Sequence, residues 1–318
     1  MINSSIKYYL SLIIASICFG SIAVFAFYLT LFGVSSTQQT FFRILFTAFY
    51  LFCGLGVWLR FHDISIRPEH VTLFFLYGLI GVCAPLFTYI TAIAIGTPVI
   101  VAVSLAYLYP AITLILARIF LNELFNLKRI IAVVCSITGA IVISTPIISE
   151  YFPIPVFGFI LSALTALFLA CFMVVGRKLG GYEDYNPLVT TFWGYLFGSL
   201  WMGVILLGLQ FLIIDPRIVG FQLILPIPVW VLLLGFALIA TAIPYTLTNY
   251  GMKRIDASVT SIILLLDPLS SVIFGILLMG QVVVFWQLSG ASLILIATIL
   301  TGLEQKSSKK NSIRQKGS

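Results

Sequence analysis

The chain has 318 residues, of which 61% are hydrophobic and only 8% are charged. Soluble domains carry about 25% charged residues, so this composition excludes a water-soluble protein and indicates an all-α integral membrane protein. The net charge of +7 is typical of some nucleic-acid-binding proteins. In a chain this apolar, however, we expect no nucleic-acid partner, and the basic residues should lie beside a lipid bilayer.

Apolar runs separated by helix breakers predict ten membrane helices. Each is close to the length of about 20 residues that crosses the hydrocarbon core of a bilayer, and no room is left for a soluble catalytic domain. The first run, after Lys7, is too long for the hydrophobic region of a signal peptide, so we expect it to be retained. The predicted helices cover residues 8–30, 39–59, 71–94, 98–121, 128–147, 154–176, 188–210, 229–251, 257–280 and 283–303.

The basic residues predict the orientation of these helices. Fifteen of the 17 Lys and Arg residues fall in the termini, in alternate loops or at the helix ends beside those loops, all on one side of the membrane. The other side has Arg217 in a loop and Arg43 about one turn inside the second helix. By the positive-inside rule both termini are cytoplasmic. We therefore expect a multi-pass protein of the cell membrane.

Other sequence features exclude several kinds of site. The five cysteines are scattered within the predicted helices, which excludes a disulfide framework and a CxxC-type metal site. No Walker-type phosphate loop is present, which excludes a nucleotide-driven pump within this chain. We expect neither a metal nor any other cofactor. The basic tail, residues 304–318, is predicted to be disordered; it either contacts anionic lipid or serves only topology and solubility.

The chain also contains an internal repeat. An offset of 158 residues places Pro110 on Pro268, and with a one-residue slip Pro85 meets Pro244. All four prolines lie within predicted membrane helices, so we expect each to break or kink its helix.

The repeat divides the chain into residues 1–148 and 154–303, with a Pro-containing linker at 149–153. Each half has five predicted helices, and an odd number makes the second half start on the opposite face of the membrane. The sequence therefore predicts two inverted five-helix repeats. This architecture is typical of secondary transporters, in which a site between the repeats opens to either side in turn.

Four stretches of sequence carry a resemblance to a known family. The chain resembles the EamA-type ten-helix members of the drug/metabolite transporter superfamily over about residues 8–303. The resemblance implies transport of small metabolites, and the bacterial and archaeal branch largely exports amino acids and related compounds. Phe19 and Gln281 stand where the family commonly has Trp and Glu. The matching stretches are ASICFGS at 15–21, FRIL at 42–45, and the regions 109–123 and 266–281.

Two charged residues lie within the predicted helices at positions of interest. Asp267, near the middle of the ninth helix, is either a proton-coupling site or counter-charge for an amine, or an acid that caps the break at Pro268. Arg43 either snorkels to the surface or joins helices, or it pairs with a carboxylate or phosphate of the substrate.

Neutral polar side chains near the prolines form the rest of the candidate site. Such groups suit a small polar or zwitterionic ligand, but they also form hydrogen bonds between helices. The candidate substrate-binding residues are Thr88 and Tyr89 beside Pro85, Tyr107 before Pro110, and Tyr245, Thr248 and Asn249 after Pro244.

These features predict a secondary-active carrier that works by alternating access and moves a small polar metabolite. The resemblance favours export of an amino acid or related compound. A carrier of cationic amines or drugs, or of nucleotide-sugar-like solutes, remains an alternative, as does a channel or lipid-flipping scaffold. The proton is a candidate coupling ion. We expect no enzyme activity, because Asp267 has no second acid or histidine at membrane depth.

Overall fold

The structure, a computed structural model, describes residues 2–59, 64–95, 97, 99–123, 126–144, 156–211, 220–279, 285–286 and 289–300. These residues form helices and connecting segments, with no strand among them. The predicted linker at 149–153 and the predicted tail at 304–318 lie outside the described residues.

The helices are numbered here α1 to α10 in chain order, and several of them consist of two or three consecutive segments. The first five are α1 (Ile2–Gly20 and Ile22–Leu31), α2 (Ser36–Leu59), α3 (Val71–Leu76, Tyr77–Cys83 and Ala84–Ala94), α4 (Val99–Ala106 and Tyr109–Leu121) and α5 (Leu127–Ser144). The others are α6 (Val156–Arg177 and Lys178–Tyr182), α7 (Pro187–Phe211), α8 (Ile227–Ala237, Leu238–Ala242 and Ile243–Met252), α9 (Ala257–Leu264 and Asp267–Met279) and α10 (Ser289–Leu300).

Seven of these helices among the described residues are long and apolar enough to cross a membrane: α1, α2, α3, α6, α7, α8 and α9. Their limits agree with the predicted ones to within a few residues, apart from the earlier start of α1 and the later end of α6. The structure therefore supports a multi-pass membrane protein. That α4, α5 and α10 also cross the bilayer stays a prediction.

The helices α4 and α9 are broken at matching places. Val99–Ala106 and Tyr109–Leu121 of α4 are each 158 residues before Ala257–Leu264 and Asp267–Met279 of α9, at both ends of both segments. In each helix the second segment has proline at its second position. Because proline has no N–H and its ring clashes with the carbonyl four residues earlier, a continuous helix is disfavoured at both sites.

Pro85 and Pro244 have a different local structure. A π-helical segment comes before each of them, Tyr77–Cys83 in α3 and Leu238–Ala242 in α8, and the helix then continues through the proline. A π-helical turn bonds N–H groups to carbonyls five residues away, and such turns occur frequently at functional sites. These two prolines therefore follow a local change of winding instead of a complete break.

The two halves of the chain pack against each other through small residues and through the broken helices. The α1 helix packs on Ile243–Met252 of α8 and on α9, while α4 packs on α6 and α9. A Cβ atom added at Gly78 in α3 would lie 2.7 Å from the backbone nitrogen of Gly198 in α7. Glycine at this crossing therefore permits a close backbone approach. Ala257–Leu264 of α9 is buried throughout, whereas Tyr109–Leu121 and Asp267–Met279 also carry exposed apolar side chains.

One end of the bundle carries the ion pairs found between described residues. Arg67 pairs with Glu183 at 3.2 Å, and Lys253 pairs with Asp184 at 2.9 Å. These residues belong to three of the loops that the sequence assigns to the positively charged side, and we call this end the basic end. The structure thus brings those loops together. That this end faces the cytoplasm stays a prediction.

Candidate functional site

Asp267 lies at the break in α9 and is bonded to the matching break in α4. It is the first residue of the segment Asp267–Met279. The hydroxyl group of Tyr107, which lies in the break of α4, donates a hydrogen bond to its carboxylate. The other carboxylate oxygen, Oδ1, is buried and has no hydrogen-bond partner among the described residues. One acceptor atom of a membrane-embedded acid is therefore available for a ligand.

Three more tyrosines lie in the neighbourhood of this carboxylate. Tyr89 of α3, Tyr109 of α4 and Tyr245 of α8 lie within electrostatic reach of Asp267. The Tyr109 hydroxyl donates to the carbonyl of Ser261 in α9 at 2.9 Å, so this tyrosine also joins the two broken helices. The structure thus brings the predicted residues Tyr89, Tyr107 and Tyr245 to the predicted acid. Tyr109, which directly precedes Pro110, was not among the predicted substrate-binding residues.

The ring of Tyr245 belongs to a buried aromatic cluster. Its centroid lies 4.9 Å from that of Phe19, 5.1 Å from that of Phe172 and 5.3 Å from that of Tyr195. All three pairs approach edge-to-face, the arrangement that the charge distribution of aromatic rings favours. Phe19, at the position where the family commonly has Trp, therefore packs beside the candidate site. Tyr195 was not selected from the sequence.

Arg43 does not snorkel to the membrane surface. Its side chain is buried, Nε donates to Thr241 Oγ1 at 2.7 Å, and Nη2 donates to the carbonyl of Ala240 at 3.3 Å. Its guanidinium carbon lies 4.5 Å from the centroid of the Phe236 ring, within the range of a cation–π interaction. The snorkelling interpretation is wrong because the π-helical segment of α8 supplies these acceptors in the interior. Arg43 joins α2 to α8.

The remaining predicted residues make contacts away from Asp267. Thr88 Oγ1 lies 2.8 Å from Thr165 Oγ1 of α6, and Asn249 Nδ2 donates to Thr191 Oγ1 of α7 at 2.9 Å. Thr248 Oγ1 is buried without a hydrogen-bond partner among the described residues. Thr88 and Asn249 thus form hydrogen bonds between helices. Substrate contact by these three residues stays a prediction.

A buried cluster of charges joins the two halves at the basic end. Glu123, which follows α4, accepts hydrogen bonds from the N–H groups of Ala257 at 2.6 Å and Ser258 at 3.1 Å, and from the Ser258 hydroxyl at 2.6 Å. Arg129 of α5 donates to Asp256 Oδ2 at 2.6 Å and to Ser258 Oγ at 2.9 Å. Its Nη1 lies 3.7 Å from Glu123 Oε2. We call Glu123, Arg129, Asp256 and Ser258 the inter-half cluster.

The carboxylate of Glu123 occupies the N-terminal end of the first segment of α9. N–H groups are unpaired at such an end, and a negative charge there is favoured by the helix dipole. Burial and the negative charge of Asp256 raise the pKa of Glu123, while its hydrogen bonds with Ser258 and Ala257 act in the opposite direction. From the sequence, Glu123 had no role beyond its place in the stretch 109–123, and Arg129 counted only among the basic residues that predict the topology.

Comparison with known proteins identifies relatives of this chain. The sequence profile of the EamA-like transporter family matches residues 6–145 and again residues 156–303. The same profile thus matches two consecutive stretches that together cover most of the chain.

Individual relatives agree with this match. An uncharacterized transporter of Archaeoglobus fulgidus is 23% identical over 92% of this chain and 96% of its own length. The uncharacterized transporter YyaM of Bacillus subtilis is 26% identical over 74% of each chain. A solved crystal structure with 16% sequence identity has a TM-score of 0.73 and covers 93% of this chain and 97% of its own. At this identity the solved structure shows the fold alone.

Proposed function

Because the chain belongs to the EamA-like transporter family, we propose that it is a secondary-active transporter of a small polar metabolite with an amino group. The observation that carries this proposal is the acid at the second helix break, with one carboxylate oxygen bonded by Tyr107 and the other unpartnered among the described residues. A carboxylate at membrane depth is costly, so it is generally retained for a function.

Alternating access is the mechanism that this geometry favours. The segments of α4 and α9 correspond at all four ends at one offset, and their breaks are in contact through Tyr107 and Asp267. Inverted repeats with broken helices at a shared site are typical of secondary transporters. We infer ten membrane helices in two inverted repeats, residues 1–148 and 154–303, with both termini cytoplasmic.

The substrate is inferred from the charges at the site. Asp267 is the counter-charge for an ammonium group, and the surrounding tyrosine rings suit a small organic solute. Arg43 already donates hydrogen bonds to Thr241 and Ala240, so a substrate carboxylate would have to compete for it. An amino acid or related compound, moved outwards, is our first candidate. A simple amine is the second, and it is favoured by the engagement of Arg43.

The proton is the coupling ion that this site suits best. A carboxylate that binds either a proton or an ammonium group exchanges one for the other when the site opens to each side of the membrane in turn. Tyr107 holds the carboxylate in place during this exchange, because its hydroxyl donates to the acid from the other half. Coupling of this kind needs no further ionisable group at membrane depth.

Counterflow in proteoliposomes tests the proposal. The purified protein is reconstituted, and vesicles are loaded with unlabelled alanine, leucine or phenylalanine, or with ethylamine, isopentylamine or phenethylamine, which are the corresponding decarboxylated amines. Uptake of the same compound in labelled form should be saturable, and it should be faster into vesicles that contain the unlabelled compound than into empty vesicles. Preference for the amine over its amino acid would select the second candidate. Uptake that is unsaturable, or absent for all six compounds, would contradict the proposal, and saturable uptake of UDP-glucose alone would indicate a nucleotide-sugar-like substrate instead.

A further inference from the structure

The inter-half cluster connects parts of the chain that must separate if the basic end opens. Glu123 and Arg129 belong to the first half, and Asp256 and Ser258 belong to the second. The side chains of Glu123 and Arg129 are each 2% exposed. The hydroxyl of Tyr182 in α6 also donates to the carbonyl of Leu121 at 2.9 Å. The halves are therefore held together at this end by buried, charge-assisted hydrogen bonds.

The cluster is continuous with the candidate substrate site. Glu123 holds the first residues of Ala257–Leu264, and only two residues separate the end of this segment from Asp267. All eight residues of this helical segment are buried. A movement of its N-terminal end away from Glu123 would therefore displace the chain that carries Asp267.

We propose that the inter-half cluster is the gate that closes the transport path at the basic end, and that its bonds break when the site opens to that end. This inference rests on the proposed function. Removing one partner of a buried ion pair leaves the other charge uncompensated. Loss of one charge from the cluster therefore favours the conformation in which the two sides are separated and hydrated.

The repeat makes this gate one-sided. At the offset of 158 residues, Glu123 corresponds to Gln281, Arg129 to Gln287 and Asp256 to Pro98. None of these counterparts carries a charge. The repeat therefore places no charged equivalent of Glu123, Arg129 or Asp256 at the corresponding positions, and breaking the inter-half cluster shifts the balance between the two conformations in one direction.

A distance measurement between the two sides of the gate tests the proposal without a substrate. The five native cysteines are replaced, and nitroxide labels are attached at Leu127→Cys and Arg254→Cys, two exposed positions on opposite sides of the cluster. Pulsed electron paramagnetic resonance then gives the distance distribution of the full chain in nanodiscs. Glu123→Gln and Arg129→Gln should raise the ratio of the longer to the shorter distance by about tenfold or more, since hydrogen bonds to charged groups are lost.

Two further variants keep the test decisive. Asp184→Asn removes a charge from the exposed pair with Lys253, which lies at the same end but within the second half; it should leave the distribution unchanged. Ser258→Ala removes only a hydroxyl bonded to Glu123 and Arg129, and should give an intermediate shift even if the charge variants fail to fold. Unchanged distances in folded Glu123→Gln and Ser258→Ala, or an equal shift in Asp184→Asn, would overturn the proposal.

The result separates this inference from the proposed function. If no solute shows counterflow but the distances shift as expected, the assigned substrate is wrong and the gate stands. If counterflow is found but the distances do not move, the transporter assignment stands and the gate is wrong.

Discussion

The two helix breaks occur at corresponding positions of the repeat but carry different side chains. In α4 the residue before the proline is Tyr109, and in α9 it is Asp267. The Tyr109 hydroxyl donates to the carbonyl of Ser261 at 2.9 Å. Asp267 accepts a hydrogen bond from Tyr107 but has Oδ1 unpartnered among the described residues. The first break is thus neutral and satisfied, and the second is ionisable and incompletely bonded.

This difference shows which property of the repeat is structural and which is specific to one half. Proline and the helix geometry account for both breaks, so the break itself needs no ligand. An acid with an unpartnered buried oxygen costs free energy and persists where it is used. The ligand-binding charge is therefore expected at the second break only.

The largest effect is expected from Asp267→Asn. The substitution keeps the shape of the side chain but removes the charge that balances the ammonium group. Loss of one partner of a buried, hydrogen-bonded charge pair costs about 2–5 kcal/mol, so exchange in proteoliposomes should fall by about thirtyfold or more. Asp184→Asn, the same change in an exposed ion pair, should leave the rate unaltered. Wild-type exchange by folded Asp267→Asn would remove the distinction between the two breaks.

Arg43→Gln should affect stability more than substrate recognition. Arg43 donates to Thr241 and Ala240 in the π-helical segment of α8. Each hydrogen bond from a charged group contributes about 1.5–3 kcal/mol to the stability of the fold. We expect a clear decrease in the melting temperature of the purified protein. The matched variant Arg67→Gln, in an exposed ion pair with Glu183, should lose at most about 1 kcal/mol. Equal losses would show that Arg43 has no special structural role.

A smaller effect on exchange is expected from Tyr107→Phe. This variant removes the hydroxyl that bonds Asp267 across the two breaks, and a single hydrogen bond contributes about 1 kcal/mol. Exchange should fall by about fivefold. Tyr109→Phe, which removes the equivalent hydroxyl from the neutral break, should change exchange by less. A larger loss in Tyr109→Phe than in Tyr107→Phe would contradict this ranking.

The smallest effect is expected from Thr88→Val. Thr88 bonds Thr165 between α3 and α6, and Thr165 retains a bond to the carbonyl of Leu161 at 3.0 Å. Because no buried partner loses its last hydrogen bond, the free energy of unfolding should fall by only about 0.5–1.5 kcal/mol. Exchange rates should be unchanged. A severalfold loss of exchange with normal stability would instead place Thr88 in the substrate site.

The sequence alone predicted the limits of the seven long apolar helices and the residue at the second break. In a membrane protein, an apolar run of about 20 residues closely defines where a helix begins and ends. The offset between Pro110 and Pro268 located both helix breaks. Asp267 was identified because a single acid among apolar residues is conspicuous. The gathering of Tyr107, Tyr89 and Tyr245 around it followed from their closeness to the prolines.

Contacts between distant helices were harder to predict. Arg43 was placed near the surface because its partners in α8 are about 200 residues away, and nothing in the sequence marks Leu238–Ala242 as π-helical. Thr88 and Asn249 are residue types that serve equally in substrate binding and in hydrogen bonds between helices. Only the neighbour that each side chain faces distinguishes these two roles, and the sequence does not give that neighbour. The inter-half cluster was missed because charges near the helix ends were interpreted only as topology signals.

Equilibrium binding of the transported solute is the most direct test of the difference between the two breaks. Isothermal titration at fixed pH and salt compares wild type with Asp267→Asn and Tyr109→Phe, each changed at the residue before its proline. We predict that Asp267→Asn raises the Kd by about thirtyfold or more, while Tyr109→Phe stays within about threefold of wild type. Wild-type affinity in Asp267→Asn, or equal losses at both breaks, would contradict the assignment of Asp267 as the ligand-binding charge.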